Sequence, residues 1–299
     1  MYTTPPLPCP PDEFHRRLYA GEILRLAGLA PLGEIVAFTR TFLEEELAPH
    51  PPTEIHHHLT LAQQVERFAA LSGAYARSEE VKRLWRALFD AVGLDPEAIA
   101  RDRLRLRFQP HRDAAEANLR PAGASTVAFH RDTWGTNLYA QVNWWMPVYP
   151  LAAGRTMALF PSLWSRPVRN SSADFDLGRV MARRKAGGGG AVGADDMIPH
   201  LEEEIAAELG IPVLIEPGTA IAFSSAHAHT GVGNQTGVTR ISLETRTIAI
   251  ADVTGGRGAP NLDGRAPWIA PGLFRRVSDG APLHELLGME RLVPYRTAE

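Results

Sequence analysis

The chain carries one cysteine, Cys9, among 299 residues. A single thiol excludes an internal disulfide framework and any zinc or iron–sulfur centre built from several thiolates. A surplus of either charge is also lacking, since 31 Lys and Arg stand against 34 Asp and Glu, a net charge of −3. That balance gives no electrostatic basis for holding a nucleic-acid backbone or an anionic membrane, and neither is expected as a partner. No apolar run approaches the ~18 residues of a membrane span, and the proline-rich start lacks the basic and apolar regions of a signal peptide. The expectation is a soluble, cytoplasmic protein acting on a small molecule. Histidine, by contrast, is plentiful, with 11 in the chain, so imidazole and carboxylate are the ligands a metal site would use.

The pattern along the chain divides it in two. Residues 1–11 hold five prolines and read as an extended arm. From Glu13 to about Ala100 the apolar spacing is helical, with Phe14, Leu18, Ile23 and Leu26 in one run and Ile35, Phe38, Phe42 and Leu43 in the next. Ser78, Glu79 and Glu80 begin a further helix striped by Leu84, Leu88 and Val92. Strict alternation then sets in at 103–108, and strand-like runs follow at 138–145, 156–160, 213–216, 219–224 and 240–250, punctuated by Pro and Gly. This order predicts an α+β fold, mainly β, with the helices of 1–101 buttressing a sandwich at 102–250 and a C-terminal loop and tail at 251–299. The helical third is best explained as support for one sandwich, so 1–299 reads as a single domain. A glycine-rich insertion at 183–196, a short helix at 200–209 and a long loop at 251–272 complete the organisation; the insertion and the loop are candidates for a closing lid.

Two clusters carry chemistry. The first is Phe129-His130-Arg131-Asp132: in an extended segment residues two apart share a face, so His130 and Asp132 can converge on a cation. The second, about a hundred residues on, runs from Glu216-Pro217-Gly218 through an apolar strand to His227 and His229, a glycine-rich bend, and a strand opening Arg240-Ile241-Ser242. Two histidines and one carboxylate on one face of a metal, with open positions opposite, are the ligands of non-haem Fe(II) oxygenases. Arg240 offers a fork for a carboxylate, and Ser242 a hydroxyl on the same strand face.

In these motifs the sequence resembles the phytanoyl-CoA dioxygenase-like branch of the Fe(II)/2-oxoglutarate-dependent oxygenases, over roughly residues 103–250. The resemblance implies a double-stranded β-helix (jelly roll) with the N-terminal helices packed on one sheet. It implies Fe(II), O2 and 2-oxoglutarate as cofactors and cosubstrates, and a hydroxylation coupled to decarboxylation of the keto acid to succinate and CO2. The family places an Arg about eleven residues after its distal His, and Arg240 stands eleven after His229 but thirteen after His227. The implied iron ligands are therefore His130, Asp132 and His229, with Arg240 and Ser242 on the far carboxylate of the keto acid. Asn234 also matches the family, five residues after His229. Asp132 at its position, where related halogenases lack a carboxylate, implies oxygenation. The family's Asn-Gly…Pro-Gly-Ser-His stretch is replaced at 150–164, so no particular substrate is carried over.

Other residues are candidates around that site. Gln141 or Asn143 could bond the C1 end of 2-oxoglutarate. Trp134 is expected at the pocket mouth as an apolar wall. Arg107 is the member of the Arg103, Arg105, Arg107 face best placed to reach an anionic substrate or cosubstrate, that face otherwise reading as a solvated edge. His227 serves either the substrate side or plain structure. Arg246 needs a partner, Glu244 being the simpler one and a substrate carboxylate the other. Trp144 and Trp145 cannot both face inward. His56, His57 and His58, consecutive in a helix, cannot converge on one ion, and Cys9 has no nearby base. The alternative from another class is a cupin-like protein that binds a metal or small ligand without redox turnover.

Overall fold

The N-terminal third folds as the helical spacing predicts, with one exception. In the computed structural model, which describes residues 1–112, 126–185 and 198–294, it contains α1 (Pro11–Tyr19), α2 (Ala30–Leu47), α3 (Leu61–Arg77) and α4 (Glu79–Val92). The Ser78 hydroxyl caps α4 by accepting from the Val81 N–H, and Glu79 and Glu80 favour the positive end of the helix. Thr60 and Gln63 cap α3 reciprocally. Later helices are short: α5 (Thr133–Thr136), α6 (Leu177–Lys185), α7 (Ile250–Thr254) and α8 (Leu283–Leu286).

The exception is Ile23 and Leu26, which belong to a strand. α1 stops at Ala20, and Gly21 turns the chain at φ +92°, a conformation that favours glycine. A Cβ at Gly21 would also lie 2.5 Å from the Trp164 ring. The chain leaves that turn as β1 (Ile23–Leu26).

The remaining strands are β2 (Ile99–Arg101), β3 (Arg105–Gln109), β4 (Gln141–Pro147), β5 (Met157–Leu159), β6 (Ile211–Pro212), β7 (Ala220–Ser224), β8 (His229–Gly231), β9 (Arg240–Ala249), β10 (Trp268–Ile269), β11 (Arg275–Arg276) and β12 (Val293–Pro294). They pair antiparallel throughout. The larger sheet runs β1-β7-β4-β9-β2-β11, and a smaller one β6-β5-β8. β9 is long enough to take two partners in tandem along one edge, β3 against Arg240 to Glu244 and β2 against Thr247 to Ala249. The mixed, antiparallel character matches expectation; no closed barrel forms among the described residues.

Two segments differ from their predicted form. The run at 213–216 is not a strand: its last bond to β5 is the Val213 N–H donating to the Met157 carbonyl at 2.8 Å, and the Val213 carbonyl is taken by the Thr156 hydroxyl. The expected helix at 200–209 shrinks to a single 3-10 turn, Ala207–Leu209. Of the insertion at 183–196, Arg183 to Lys185 end α6 and the rest lies outside the described residues.

Alternation sorts the side chains of the large sheet onto two faces. One face, with Leu104, Leu106, Phe108, Trp144, Ala222 and Leu243, packs on the helices through Phe14, Phe68, Leu88 and Phe89. Phe14 stacks on Trp144 and Phe108 on Phe68, with ring centroids 5.6 and 4.2 Å apart. Trp145 takes the opposite face, in a second cluster with Met157, Leu159 and Phe223 between the sheets. Trp144 therefore serves the helices and Trp145 the interior. No helix among the described residues is long and apolar enough to cross a membrane.

Candidate metal centre

Two chain segments meet where the small sheet is extended by one bridge. His130 and His229 form an antiparallel pair, each N–H donating to the other's carbonyl at 3.0 Å, which brings their rings to 4.2 Å between centroids. Asp132 is not extended, as the motif alone suggests. It has helical angles at the start of α5 yet makes no capping bond. Its carboxylate turns to the imidazoles, Oδ1 lying 3.7 Å from His130 Nε2 and Oδ2 3.7 Å from His229 Nε2. His130, Asp132 and His229 each offer a ligand atom within 4.8 Å of the others, and no other three metal-ligating side chains among the described residues do so. The His56–His58 run lies instead in and beside a 3-10 helix, with His56 Nδ1 bonded to the Thr239 hydroxyl at 2.8 Å.

The imidazoles are oriented from behind. His130 Nδ1 lies 2.8 Å from the Ala128 carbonyl and His229 Nδ1 3.0 Å from the His227 carbonyl, so those nitrogens donate to the carbonyls and the Nε2 atoms face Asp132. Burial, with the neighbouring His130, pushes the His229 pKa down to about 3 and keeps the ring neutral. Burial by itself would raise the Asp132 pKa, but the Arg246 guanidinium and the two histidines override it and hold the carboxyl well below the usual carboxylate range. His229 is thus a neutral imidazole and Asp132 a carboxylate, the protonation states metal binding needs.

Both oxygens of Asp132 are already engaged. Arg246 Nη1 donates to Oδ1 at 3.0 Å, and Asn143 Nδ2 donates to Oδ2 at 2.5 Å. Asn143 is set by the Ser225 hydroxyl, which donates to its Oδ1 at 2.6 Å, and Gln141 Nε2 donates to Ser225 at 2.6 Å. Arg246 is set by Asp102, which accepts from its Nε at 2.6 Å and its backbone N–H at 2.8 Å. The partner of Arg246 is therefore a pair of aspartates. Glu244, the expected one, is ion-paired with Arg107 instead.

The triad lines a cavity of about 320 Å3 whose walls include Arg105, Arg107, Asn143, Trp145, Met157, Phe223, Arg240, Glu244 and Arg246. Arg240 stands out within it. Its Nε and Nη1 are buried without a hydrogen-bond partner, as is the hydroxyl of Ser242 beside it. Burial pushes the Arg240 pKa down to about 10, so it stays charged. An unpaired buried guanidinium is costly unless an anion compensates it. The bend before it is shaped by Asn234, whose side chain accepts from Thr236 and donates to the Gln109 and Val238 carbonyls at 2.8 Å.

Other expected site residues lie elsewhere. Trp134 is fully buried outside the cavity wall, its indole N–H donating to Asp263 Oδ1 at 2.8 Å, so it does not form the mouth. His227 is buried against Trp164, ring centroids 4.4 Å apart, with Nε2 3.0 Å from the Gly21 carbonyl. It contributes its own carbonyl to His229 rather than its ring to the cavity. Gln141 is fully buried behind Ser225, whereas Asn143 reaches the cavity but spends its amide on Asp132. Arg105 and Arg107 face the cavity rather than forming a solvated edge. In the loop at 251–272, Arg257 pairs with Asp252, and Asp263 accepts from the Val168 N–H and faces Arg131. Arg257, Asn261, Asp263 and Arg265 of that loop, which the sequence offers as a possible substrate lid, include in Asp263 a buried anchor instead. Sequence reading missed Asp102 and Ser225; Asp102, the acid immediately ahead of the Arg103, Arg105, Arg107 run, is the one with a visible signal.

No family model matches the chain, and no curated protein does. Among solved structures it is similar to a non-heme monooxygenase, ThoJ, in its apo form, at 16% identity over 90% of this chain and 85% of that one, with a TM-score of 0.49. It is similar to EctD from S. alaskensis at 15% identity, 92% and 87% coverage and a TM-score of 0.44. EvdO2 from Micromonospora carbonacea var. aurantiaca is similar at 10% identity, 83% and 94% coverage and a TM-score of 0.46.

Proposed function

We propose that the chain is a non-haem Fe(II)/2-oxoglutarate-dependent dioxygenase, most akin to the phytanoyl-CoA dioxygenase-like branch, that hydroxylates a small molecule. The fold would be one double-stranded β-helix domain backed by the N-terminal helices. His130, Asp132 and His229 would hold the iron, and Arg240 with Ser242 the far carboxylate of the keto acid. With O2, the bound iron and keto acid would supply the oxidising chemistry, yielding hydroxylated substrate, succinate and CO2.

The observation that carries this reading is the combination in one cavity of two imidazoles, a carboxylate held ionised, and an unpartnered buried guanidinium, with the unpartnered Ser242 hydroxyl two residues along the same strand. The donor set fits iron with positions left open. The orphaned Arg240 fits a carboxylate, and a cupin-like metal-binding protein has no use for such a charge. The chain's own contribution is positional: the Ala128 and His227 carbonyls aim the rings, and Trp145, Met157 and Phe223 keep water from the wall.

The test is anaerobic addition of Fe(II) and 2-oxoglutarate to the folded protein. The visible charge-transfer band of an Fe(II)-chelated keto acid is expected, and its absence would sink the reading. Arg240→Ala should weaken the dependence of that band on 2-oxoglutarate, and Asp132→Ala its dependence on iron.

A further inference from the structure

Asp102 lies in the break between β2 and β3, where the edge of β9 changes partner. It touches none of the three candidate ligands, and its side chain is almost wholly buried. Its carboxylate accepts from four donors: the Arg246 backbone N–H, the Thr245 hydroxyl at 3.2 Å, Arg246 Nε and Arg105 Nη1, the last two at 2.6 Å. A carboxylate so saturated cannot turn, and it fixes the plane of the Arg246 fork. The other end of that fork reaches Asp132 Oδ1. Arg246 thus spans two aspartates, with Nε on one and Nη1 on the other.

We propose that Asp102, acting through Arg246, is a positioning residue for the metal centre: it locks the guanidinium that in turn locks the Asp132 carboxylate opposite His130 and His229. The inference rests on the reading of those three residues as metal ligands. Its physical content is a division of labour. Asn143 holds Oδ2 and Arg246 holds Oδ1, so rotating the carboxylate would break two hydrogen bonds, one of them charged. The Asp102 charge also offsets that of Arg246, leaving the Asp132 charge to face the cation. Lysine could not replace Arg246, because one ammonium does not reach both carboxylates in the fixed geometry of a guanidinium.

The experiment is Co(II) titration of the whole protein, followed by the cobalt d–d spectrum, with apo melting temperatures as the control for folding. Asp102→Asn should bind Co(II) about 10- to 100-fold more weakly, as loss of an outer partner of a metal ligand typically does. Its d–d bands should shift, reporting an altered carboxylate. Arg246→Lys, which keeps the charge and loses the fork, should weaken binding to a similar degree. If Arg246→Lys binds Co(II) like the parent with an unchanged spectrum, charge rather than position governs the site and the proposal is overturned. It is equally overturned if Asp102→Asn retains parental affinity. Should Asp102→Asn fail to fold, the Arg246→Lys arm decides alone. A folded parent that takes up no Co(II) would overturn the metal-site reading itself, and the inference with it.

Discussion

The indole N–H of Trp134 donates to Asp263 Oδ1 at 2.8 Å, while the other oxygen of Asp263 faces Arg131 Nε at 3.1 Å. Asp263 therefore fastens the loop at 251–272 to the turn that carries Asp132. Arg131, the residue between the His and Asp of the motif, is fully buried and also donates to the Ala226, Leu163 and Arg166 carbonyls.

Asp263→Ala should cost about 3–5 kcal/mol, because it leaves a buried guanidinium without its counter-charge. Asp263→Asn, which keeps an acceptor for Trp134, should cost less. Chemical denaturation measures both; equal losses would mean that the charge of Arg131 needs no partner here.

Arg240→Met should act oppositely in the presence and absence of keto acid. Removing an unpaired buried cation favours the apo protein, with a rise of about 2–4 °C in melting temperature. The same variant should lose the stabilisation that 2-oxoglutarate gives the parent. Melting curves with and without 2-oxoglutarate test both arms, and an undiminished ligand-induced shift would remove Arg240 from the carboxylate site.

His15 supplies a pH dependence away from the metal centre. Burial, opposed by Asp252 and the Pro11 carbonyl, lowers its pKa below the ordinary value of 6.5. The unfolded chain therefore takes up the proton first as pH falls. The contribution is complete above about pH 6.5 and is lost as pH drops from there towards the folded-state value. Between the two values His15→Phe should flatten the fall in stability by up to about 1.4 kcal/mol per pH unit. Superimposable slopes for parent and variant would show that another group carries the effect.

Gly21→Ala should destabilise by about 2 kcal/mol or more, since its φ of +92° is strained for alanine and its new Cβ would meet the Trp164 ring at 2.5 Å. Trp164 also lies against His227, so the change should be felt behind the metal centre. In urea denaturation, adding Trp164→Leu should restore part of the loss; no restoration would assign the whole cost to backbone strain.

Local patterns made part of this legible. The Ser78 cap and the alternation before Phe108 each depend on neighbours in sequence, and each appears in the structure with only its boundaries shifted. His130, Asp132 and His229 do come together, though Asp132 is helical and not extended as its motif suggests. Ile23 and Leu26 misled because two apolar residues three apart fit a helix and a short strand equally well; the glycine between α1 and β1 decided it. Arg246 misled for another reason. Glu244 shares its strand face, but strand neighbours two apart stand side by side, whereas Asp102 and Asp132 arrive from other segments. Trp134 was assigned by distance from Asp132, and only the fold supplies Asp263, which draws its indole away from the cavity.

One strand, β9, carries Arg240 at its first residue and Arg246 near its far end, with Ser242 and Glu244 between them on the same face. The keto-acid end and the carboxylate-holding end of the proposed site are thus separated by a fixed number of peptide units, about 20 Å of extended chain. Single side chains along β9 can be exchanged while that spacing stays constant. Inserting one residue between Arg240 and Arg246 would instead turn one of the two to the helix-packed face. Extra length belongs in the bend that precedes β9, where it leaves the interval intact.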